Sequence, residues 1–289
     1  MPPVSEDLTP AFPLVKAEYL RRGIAQVEGW LNPSTAIYLS GLEVLQRGTG
    51  PAGDVCEIGI HHGRSFLCLA IGLPAGERAI AIDLFPDPAD NVDGRDKRAI
   101  FERNAARHGA APPEVIRTSS LELERLGFVA EGRRFRIFSI DGAHTIEITL
   151  NDLAVAERTV LEGGLVVLDD VLNPHWLAVI TALFQHWSDG GTLVPAILVP
   201  NKLILARSPE SASTWRKLMR EVFGAGLTKA DVSLGRHEID VYGNHAWIVA
   251  DEAGGTGQVA QPPLGRRVGR ALARRMPRLA RRVRGLRRR

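Results

Sequence analysis

The stretch DVCEIGIHHGRS, residues 54–65, decides the fold. It is a short apolar run that ends in an acidic residue and continues into two glycines four positions apart. Glycine allows a tight turn and a close approach of the backbone to a ligand. A helix that follows such a turn offers free N–H groups at its start. We therefore expect a strand, a glycine turn and a helix, with a ligand bound at the turn.

The spacing of the glycines separates two classes of ligand. Glu57, Gly59 and Gly63 give Glu-x-Gly-x-x-x-Gly, whereas dinucleotide-binding turns read Gly-x-Gly-x-x-Gly. The central glycine that is missing here lets a backbone approach a pyrophosphate, so the pattern favours a ligand without phosphates. Asp83 ends the next apolar run, where a carboxylate suits two ribose hydroxyls. A tight turn in another doubly wound protein is the alternative for this motif alone.

Short apolar runs alternate with amphipathic stretches beyond residue 54. The runs cover residues 54–60, 79–85, 114–119, 135–142 and 165–171. A helix is expected from Asn173-Pro174 to about residue 188, followed by an antiparallel hairpin whose two runs are separated by Pro200-Asn201. Strands that alternate with helices predict a parallel sheet covered on both faces. We expect an α/β, Rossmann-like doubly wound, mostly parallel seven-stranded sheet with an antiparallel edge hairpin.

Four segments are expected along the 289 residues. Apolar residues at helical spacing predict an N-terminal helical cap over residues 1–50. The α/β domain follows over 51–251, and the composition of 252–264 predicts a flexible linker. Residues 265–289 form a basic amphipathic tail.

Composition limits the compartment and the partners. The two cysteines, Cys56 and Cys68, fall in segments expected to be buried, which favours free thiols and a cytoplasmic protein. The net charge of +3 conceals 12 arginines in residues 265–289, against 24 basic and 33 acidic residues elsewhere. An acidic body disfavours a catalytic domain that grips nucleic acid.

In the tail, apolar residues recur at helical spacing among arginines. Val268, Leu272, Met276, Leu279, Val283 and Leu286 would form one apolar stripe. A basic amphipathic helix of this kind predicts peripheral binding to an anionic membrane, here the inner face. A disordered basic tail and nucleic-acid binding are the alternatives.

Several motifs occur in a consistent order between about residues 25 and 207. They are Glu57 to Ser65, Asp83-Leu84-Phe85 with Asn91-Val92-Asp93, Ile140-Asp141-Gly142-Ala143-His144, Gly163-Gly164 and Leu168-Asp169-Asp170. Together they resemble class I methyltransferases that use S-adenosylmethionine (SAM), in the bacterial subgroup related to macrolide-sugar O-methyltransferases and catechol O-methyltransferase. The resemblance implies a set of SAM-binding residues, with the methionine end at Glu57, Gly59, Gly63 and Ser65, the ribose at Asp83, and the adenine at Ser119 and Ser120.

Three aspartates follow two apolar runs: Asp141 after one, and Asp169 with Asp170 after the other. Clustered carboxylates favour a hard divalent cation, and Mg²⁺ or Mn²⁺ could stabilise an alkoxide acceptor. The three positions match the metal-binding carboxylates of metal-dependent relatives, so we predict a metal site. The alternative is that these acids only cap loops.

His144 is the predicted catalytic base, next to Asp141. The ordinary pKa of histidine suits proton abstraction near neutral pH. Many relatives carry a second acid where this chain has Ala143, which moves the role of base to His144. A hydrogen-bonding residue at a helix start is the alternative for His144. Trp176 is interpreted as a helix anchor in the core, with the alternative that His175 and Trp176 shape an acceptor pocket.

The predicted reaction is methylation of a hydroxyl on a sugar, glycoconjugate or related small molecule. The sugar rests on family analogy alone. An RNA-modifying methyltransferase and a non-catalytic, membrane-docked SAM-binding protein are the alternatives. Formation of a homo-oligomer stays open.

Overall fold

The computed structural model describes residues 7–87, 89–91 and 93–260, so the predicted tail at 265–289 lies outside the described residues. The α-helices are α1 (Leu14–Glu18), α2 (Pro33–Thr49), α3 (Phe66–Ala70), α4 (Lys97–Arg107), α5 (Ile146–Thr159), α6 (Leu177–Ser188) and α7 (Pro209–Phe223). The strands are β1 (Asp54–Ile58), β2 (Ala79–Asp83), β3 (Glu114–Arg117), β4 (Phe135–Ile140), β5 (Val160–Asp169), β6 (Val194–Val199), β7 (Lys202–Ala206), β8 (Leu227–Leu234), β9 (His237–Tyr242), β10 (Ile248–Ala250) and β11 (Thr256–Gln258). None of the described helices is long and apolar enough to cross a membrane.

One large sheet has the strand order β3-β2-β1-β4-β5-β7-β6-β9-β8. The first five strands in that order are parallel, and β7 runs antiparallel to both β5 and β6. The predicted Rossmann-like, mostly parallel class is confirmed. The sheet has nine strands rather than seven, because β9 pairs with β6 and β8 then forms the edge.

Apolar side chains on successive strand residues enter two separate cores. Val55 of β1 packs on the face covered by α2, α3, α4 and α7, whereas Cys56 packs on the face covered by α5 and α6. This alternation is the period of two that strands impose. Cys56 and Cys68 are buried free thiols, as predicted.

Buried charges attach the N-terminal helices to the sheet. The Lys16 ammonium donates to Glu43 of α2 at 2.6 Å, and the Arg136 guanidinium of β4 donates to the other oxygen of Glu43 at 2.6 Å. All three side chains are fully buried. Burial opposes ionisation of Glu43, but Lys16, Arg47 and Arg136 outweigh it and lower its pKa to about 2. The cap therefore packs on the sheet through an ion network as well as apolar contacts.

Two predicted boundaries were wrong. Helix α6 begins at Leu177 instead of Pro174, because the residues from Asn173 to Trp176 form a separate turn, closed by a hydrogen bond from the Trp176 N–H to the Asn173 backbone oxygen at 2.9 Å. The predicted linker 252–264 contains β11, which pairs with β10, so its first part is packed against the domain. Next to this pair, Arg21 donates to Asp251 at 2.7 Å.

Candidate active site

The glycine turn lies where β1 meets α3, at the carboxyl end of the parallel strands. Gly59 has a φ of +85°, and a Cβ added there would lie 1.8 Å from the backbone oxygen of Asp141. Gly63 has a φ of +86°, and its added Cβ would lie 2.6 Å from the Phe101 ring. Only glycine combines these backbone angles with this close packing. The turn therefore has the shape that the sequence predicted.

Glu57 is fully buried beside this turn. Its Oε1 accepts a hydrogen bond from the Ser139 hydroxyl at 2.9 Å, and burial raises the pKa of Glu57 to about 8. Its Oε2 and the Ser65 hydroxyl are both buried, and neither forms a well-aligned hydrogen bond among the described residues, although the Ser65 hydroxyl lies close enough to Glu57 to oppose the rise in its pKa. Buried polar atoms are normally paired. Two unpaired ones at a glycine turn fit a polar ligand.

Asp83, at the end of β2, stabilises the same turn by hydrogen bonds. Its Oδ2 accepts from the Ile60 and His61 N–H groups at 2.7 and 3.1 Å, and its Oδ1 accepts from the Phe85 N–H at 2.8 Å. Each carboxylate oxygen has more than one lone pair, so these bonds leave room for a ribose hydroxyl. The ribose role remains a prediction, and Asp83 also shapes the turn.

The predicted adenine residues follow β3. The Ser119 hydroxyl caps a 3₁₀ helix over Ser120–Glu122 by accepting from the Leu121 N–H. The backbone oxygen of Ser120 accepts from the Asn151 side chain at 3.0 Å. Both serines thus have structural partners, and the adenine role remains a prediction.

The carboxyl ends of β4 and β5 bring three predicted residues together. His144 Nε2 lies 2.9 Å from Asp170 Oδ2 and 3.4 Å from Asp141 Oδ1. Ligand atoms of these three residues all lie within 4.8 Å of one another. The structure therefore groups Asp141 and Asp170 with His144.

Asp169 faces a different partner, Lys202. The two residues are opposite each other in the antiparallel pairing of β5 and β7. The Lys202 ammonium contacts Asp169 Oδ2 and lies 3.8 Å from Asp141 Oδ2, and the residue is only 2% exposed. Asp169 Oδ1 accepts from the Asp170 N–H at 2.7 Å. Both oxygens of Asp169 are thus engaged within the protein.

Of the predicted metal ligands, Asp141 and Asp170 lie with His144 close enough together to hold an ion, but Asp169 is not free to join them. Coordination by Asp169 Oδ2 would displace the Lys202 ammonium that contacts it. Two like unit charges 4 Å apart repel by about 4 kcal/mol at an effective dielectric constant of 20, and a divalent ion doubles this. Three carboxylates here already face the cationic groups of Lys202 and His144.

His144 is held as a cation near neutral pH. Burial alone would lower its pKa, but hydrogen bonds and attraction from Asp141 and Asp170 raise the pKa of His144 to about 9. Its ring stacks on the Trp176 indole with centroids 5.0 Å apart. Trp176 is 43% exposed, so its interpretation as a core anchor was wrong. The turn that delays α6 to Leu177 leaves the indole over His144 instead.

Backbone strain is concentrated on this rim. Five non-glycine residues with positive φ follow the strand ends or adjoining turns: His61, Phe85, His144, Asp170 and Asn201. Such conformations are costly for side-chain-bearing residues and cluster at functional sites.

Comparisons with known proteins agree with this geometry. The family model described as "Methyltransferase domain" matches residues 56–171, which include the glycine turn and the carboxylate rim. Residues 56–171 are therefore similar to a methyltransferase domain. A comparison with curated protein sequences finds no significant match.

Solved structures with a similar fold include several methyltransferases. The calicheamicin methyltransferase CalS11 is 16% identical, with a TM-score of 0.47 over 65% of this chain and 81% of that one. An O-methyltransferase from Bacillus cereus in complex with SAH is 18% identical, with a TM-score of 0.45 over 66% and 89%. TomG from Streptomyces achromogenes, in complex with SAM, is 18% identical, with a TM-score of 0.46 over 69% and 92%.

The candidate site, or its surroundings, contains residues that sequence reasoning missed. Lys202 was treated only as the start of a strand, and no local pattern marks it as buried, because its burial depends on the pairing of β7 with β5. Asn201 was treated as a turn residue, but its amide contacts Asp170. Trp30, from the cap, is 75% exposed and lies 5.2 Å from the His61 ring between centroids.

Proposed function

We propose that this chain transfers the methyl group of SAM to a hydroxyl oxygen of a small molecule, such as a sugar or glycoconjugate. One observation carries the proposal: His144, paired with Asp170 and Asp141, lies on the same rim as the glycine turn. A histidine oriented by a carboxylate is a general base suited to hydroxyl acceptors.

Glu57 and the glycine turn would hold the cofactor. The unpaired, buried Glu57 Oε2 suits the amino group of the methionine moiety, and Asp83 suits the ribose. When bound, SAM supplies an electrophilic methyl group. Because Gly59 carries no side chain, the turn can pack directly against the backbone of Asp141 at the end of β4.

His144 would take the proton from the acceptor hydroxyl. Its Nε2 faces the carboxylates of Asp170 and Asp141, so Nδ1 is the nitrogen that we expect to meet the acceptor. Only the neutral imidazole can accept a proton, so the raised pKa of His144 favours reaction at alkaline pH. Asp170 would orient the ring and stabilise the imidazolium that forms.

The acceptor would also contact apolar side chains on the rim. Large exposed hydrophobic residues follow the ends of β2 to β5: Leu84, Leu121, Ile146, Leu172, Trp176 and Leu177. Aromatic and aliphatic surface of this kind suits the apolar face of a sugar ring or an aglycone. A sugar acceptor is part of the proposal because of the sequence resemblance.

Residues 265–289 lie outside the described residues, and their proposed partner rests on sequence alone. Their arginines and apolar stripe suit an anionic membrane surface. In this proposal, the tail would bring the methyltransferase to membrane-associated acceptors without taking part in the chemistry.

The test is formation of S-adenosylhomocysteine with a panel of nucleotide sugars, glycolipids, catechols and RNA. His144→Asn should lower kcat/KM about 100-fold or more, because a general base contributes roughly 10²–10⁴. His175→Asn is the matched control, since His175 is an exposed histidine on the same rim, and it should stay within about twofold. Turnover of RNA alone, or full activity of His144→Asn, would refute the proposal.

A further inference from the structure

We propose that the Lys202 ammonium is a resident cation that takes the place of a divalent ion at Asp141 and Asp169, so that methyl transfer here needs no metal. The inference rests on the proposed methyl transfer, but its main test measures metal binding and needs no acceptor. Lys202 would act as a positioning residue, through the carboxylates that it contacts.

The position of Lys202 is fixed by the sheet. It is the first residue of β7, and the pairing with β5 places it opposite Asp169, the last residue of β5. Its ammonium contacts Asp169 and lies 3.8 Å from Asp141 Oδ2. A hard cation bound by Asp169 would sit about 2.0–2.6 Å from the same oxygen. Ammonium and metal would therefore compete for one place.

Burial makes this competition unequal. Lys202 is 2% exposed, and a buried ammonium is tolerated only when it is paired with opposite charge. A divalent ion bound to Asp169 would leave the Lys202 ammonium buried, without that carboxylate as its partner and next to the two positive charges of the ion. Burial alone would lower the pKa of Lys202, but attraction from Asp169, Asp141 and Glu57 outweighs burial and raises the pKa above its ordinary value.

Lys202 also connects to the proposed base through Asp141. One oxygen of Asp141 lies 3.8 Å from the ammonium, and the other lies 3.4 Å from His144 Nε2. Attraction on both sides holds this carboxylate between the two cations. The lysine thereby offsets the charge of Asp141 and helps to orient its carboxylate without an ion.

The first experiment is a titration of the full chain with Mn²⁺, followed by the EPR signal of the free ion. Wild type and Lys202→Arg, which keeps the charge, should show no binding at millimolar Mn²⁺. Lys202→Met frees Asp169 and should bind Mn²⁺ at least about tenfold more tightly than wild type. Lys229→Met, at an exposed lysine of β8, is the matched control and should behave as wild type.

Wild-type binding of Mn²⁺ at sub-millimolar concentration, or a Lys202→Met variant that binds no better than wild type, would overturn the inference. SAM affinity and thermal melting report whether Lys202→Met folds. If it does not fold, the variant Lys202→Met with Asp169→Asn removes both partners of the direct ion pair and should recover part of the melting temperature, because Asp169 is then no longer a buried charge without its cation. The wild-type titration and its activity in EDTA then decide: inhibition by EDTA contradicts the inference, and full activity supports it.

Failure here is distinguishable from failure of the proposed function. If no hydroxyl acceptor is methylated but Lys202→Met gains Mn²⁺ binding, the resident cation stands and the acceptor chemistry is wrong. If wild type binds Mn²⁺ and methylates hydroxyls only in its presence, the proposed methyl transfer stands and the proposal of a resident cation is wrong.

Discussion

Titration of His144 should occur far above the range of an ordinary histidine. Its ion pairs with Asp170 and Asp141 raise its pKa from 6.5 to about 9, so only about 1% of the ring is neutral at pH 7. If neutral His144 is the base, kcat/KM should rise about tenfold per pH unit below pH 8 and level off above pH 9. Asp170→Asn removes the closer ion pair and should lower the pKa of His144 by about one unit or more.

NMR of the histidine side chains measures this pKa without an acceptor, and His144→Asn assigns the resonance. Because the pKa of His144 is higher in the folded than in the unfolded protein, the free energy of unfolding depends on pH. Relative to an unfolded pKa of 6.5, the contribution of His144 is fully present below pH 6.5 and is lost as the pH rises through about 9. It amounts to about 3 kcal/mol at most. A His144 resonance that titrates near pH 6.5, with an unchanged midpoint in Asp170→Asn, would refute the reasoning.

Three further outcomes are expected. Gly59→Ala should abolish SAM binding by calorimetry, because its Cβ would lie 1.8 Å from a backbone oxygen; measurable micromolar affinity would contradict this. Glu43→Gln leaves buried cations short of a partner and should cost about 3–5 kcal/mol, lowering Tm on the order of 10 °C, whereas exposed Glu221→Gln should not. Deleting 265–289 should leave SAM affinity unchanged and abolish binding to anionic vesicles, and Leu272→Asp should weaken that binding; intact binding by both variants would exclude the tail as a membrane contact.

Much of the fold could be predicted from local patterns in the sequence. The run 54–60 and the glycines after it predict a strand and turn, since a buried parallel strand and a positive φ each have a short-range signature. The same holds for the strand ends at Asp141 and Asp169, which the sequence placed on one rim. Neighbouring β4 and β5 do bring Asp141 and Asp170 within reach of His144.

The edge strand of the sheet, β8, was harder to predict from the sequence. Strand β8 carries charged and exposed residues such as Lys229 and Asp231, as edge strands do to avoid further pairing, so it has no apolar run to detect. Its partner β9 is held partly by Arg220, which donates to Asp240 at 2.6 Å. Ion pairs between distant segments leave no local pattern, and the pairing of Lys16 with Glu43 was missed for the same reason.

Lys202 shows why the metal prediction followed from the sequence and why Asp169 is not free to act as a ligand. Three clustered carboxylates call for positive charge, and sequence alone supplies no cation near them, so a metal is the natural inference. The missing charge comes from a residue 33 positions after Asp169, through the register of β5 and β7. Asp141 then joins the parts of the site. Its backbone oxygen packs closely against Gly59, and its carboxylate lies between Lys202 and His144. A change in the charge of Lys202 should therefore reach the proposed base while the glycine turn keeps its shape.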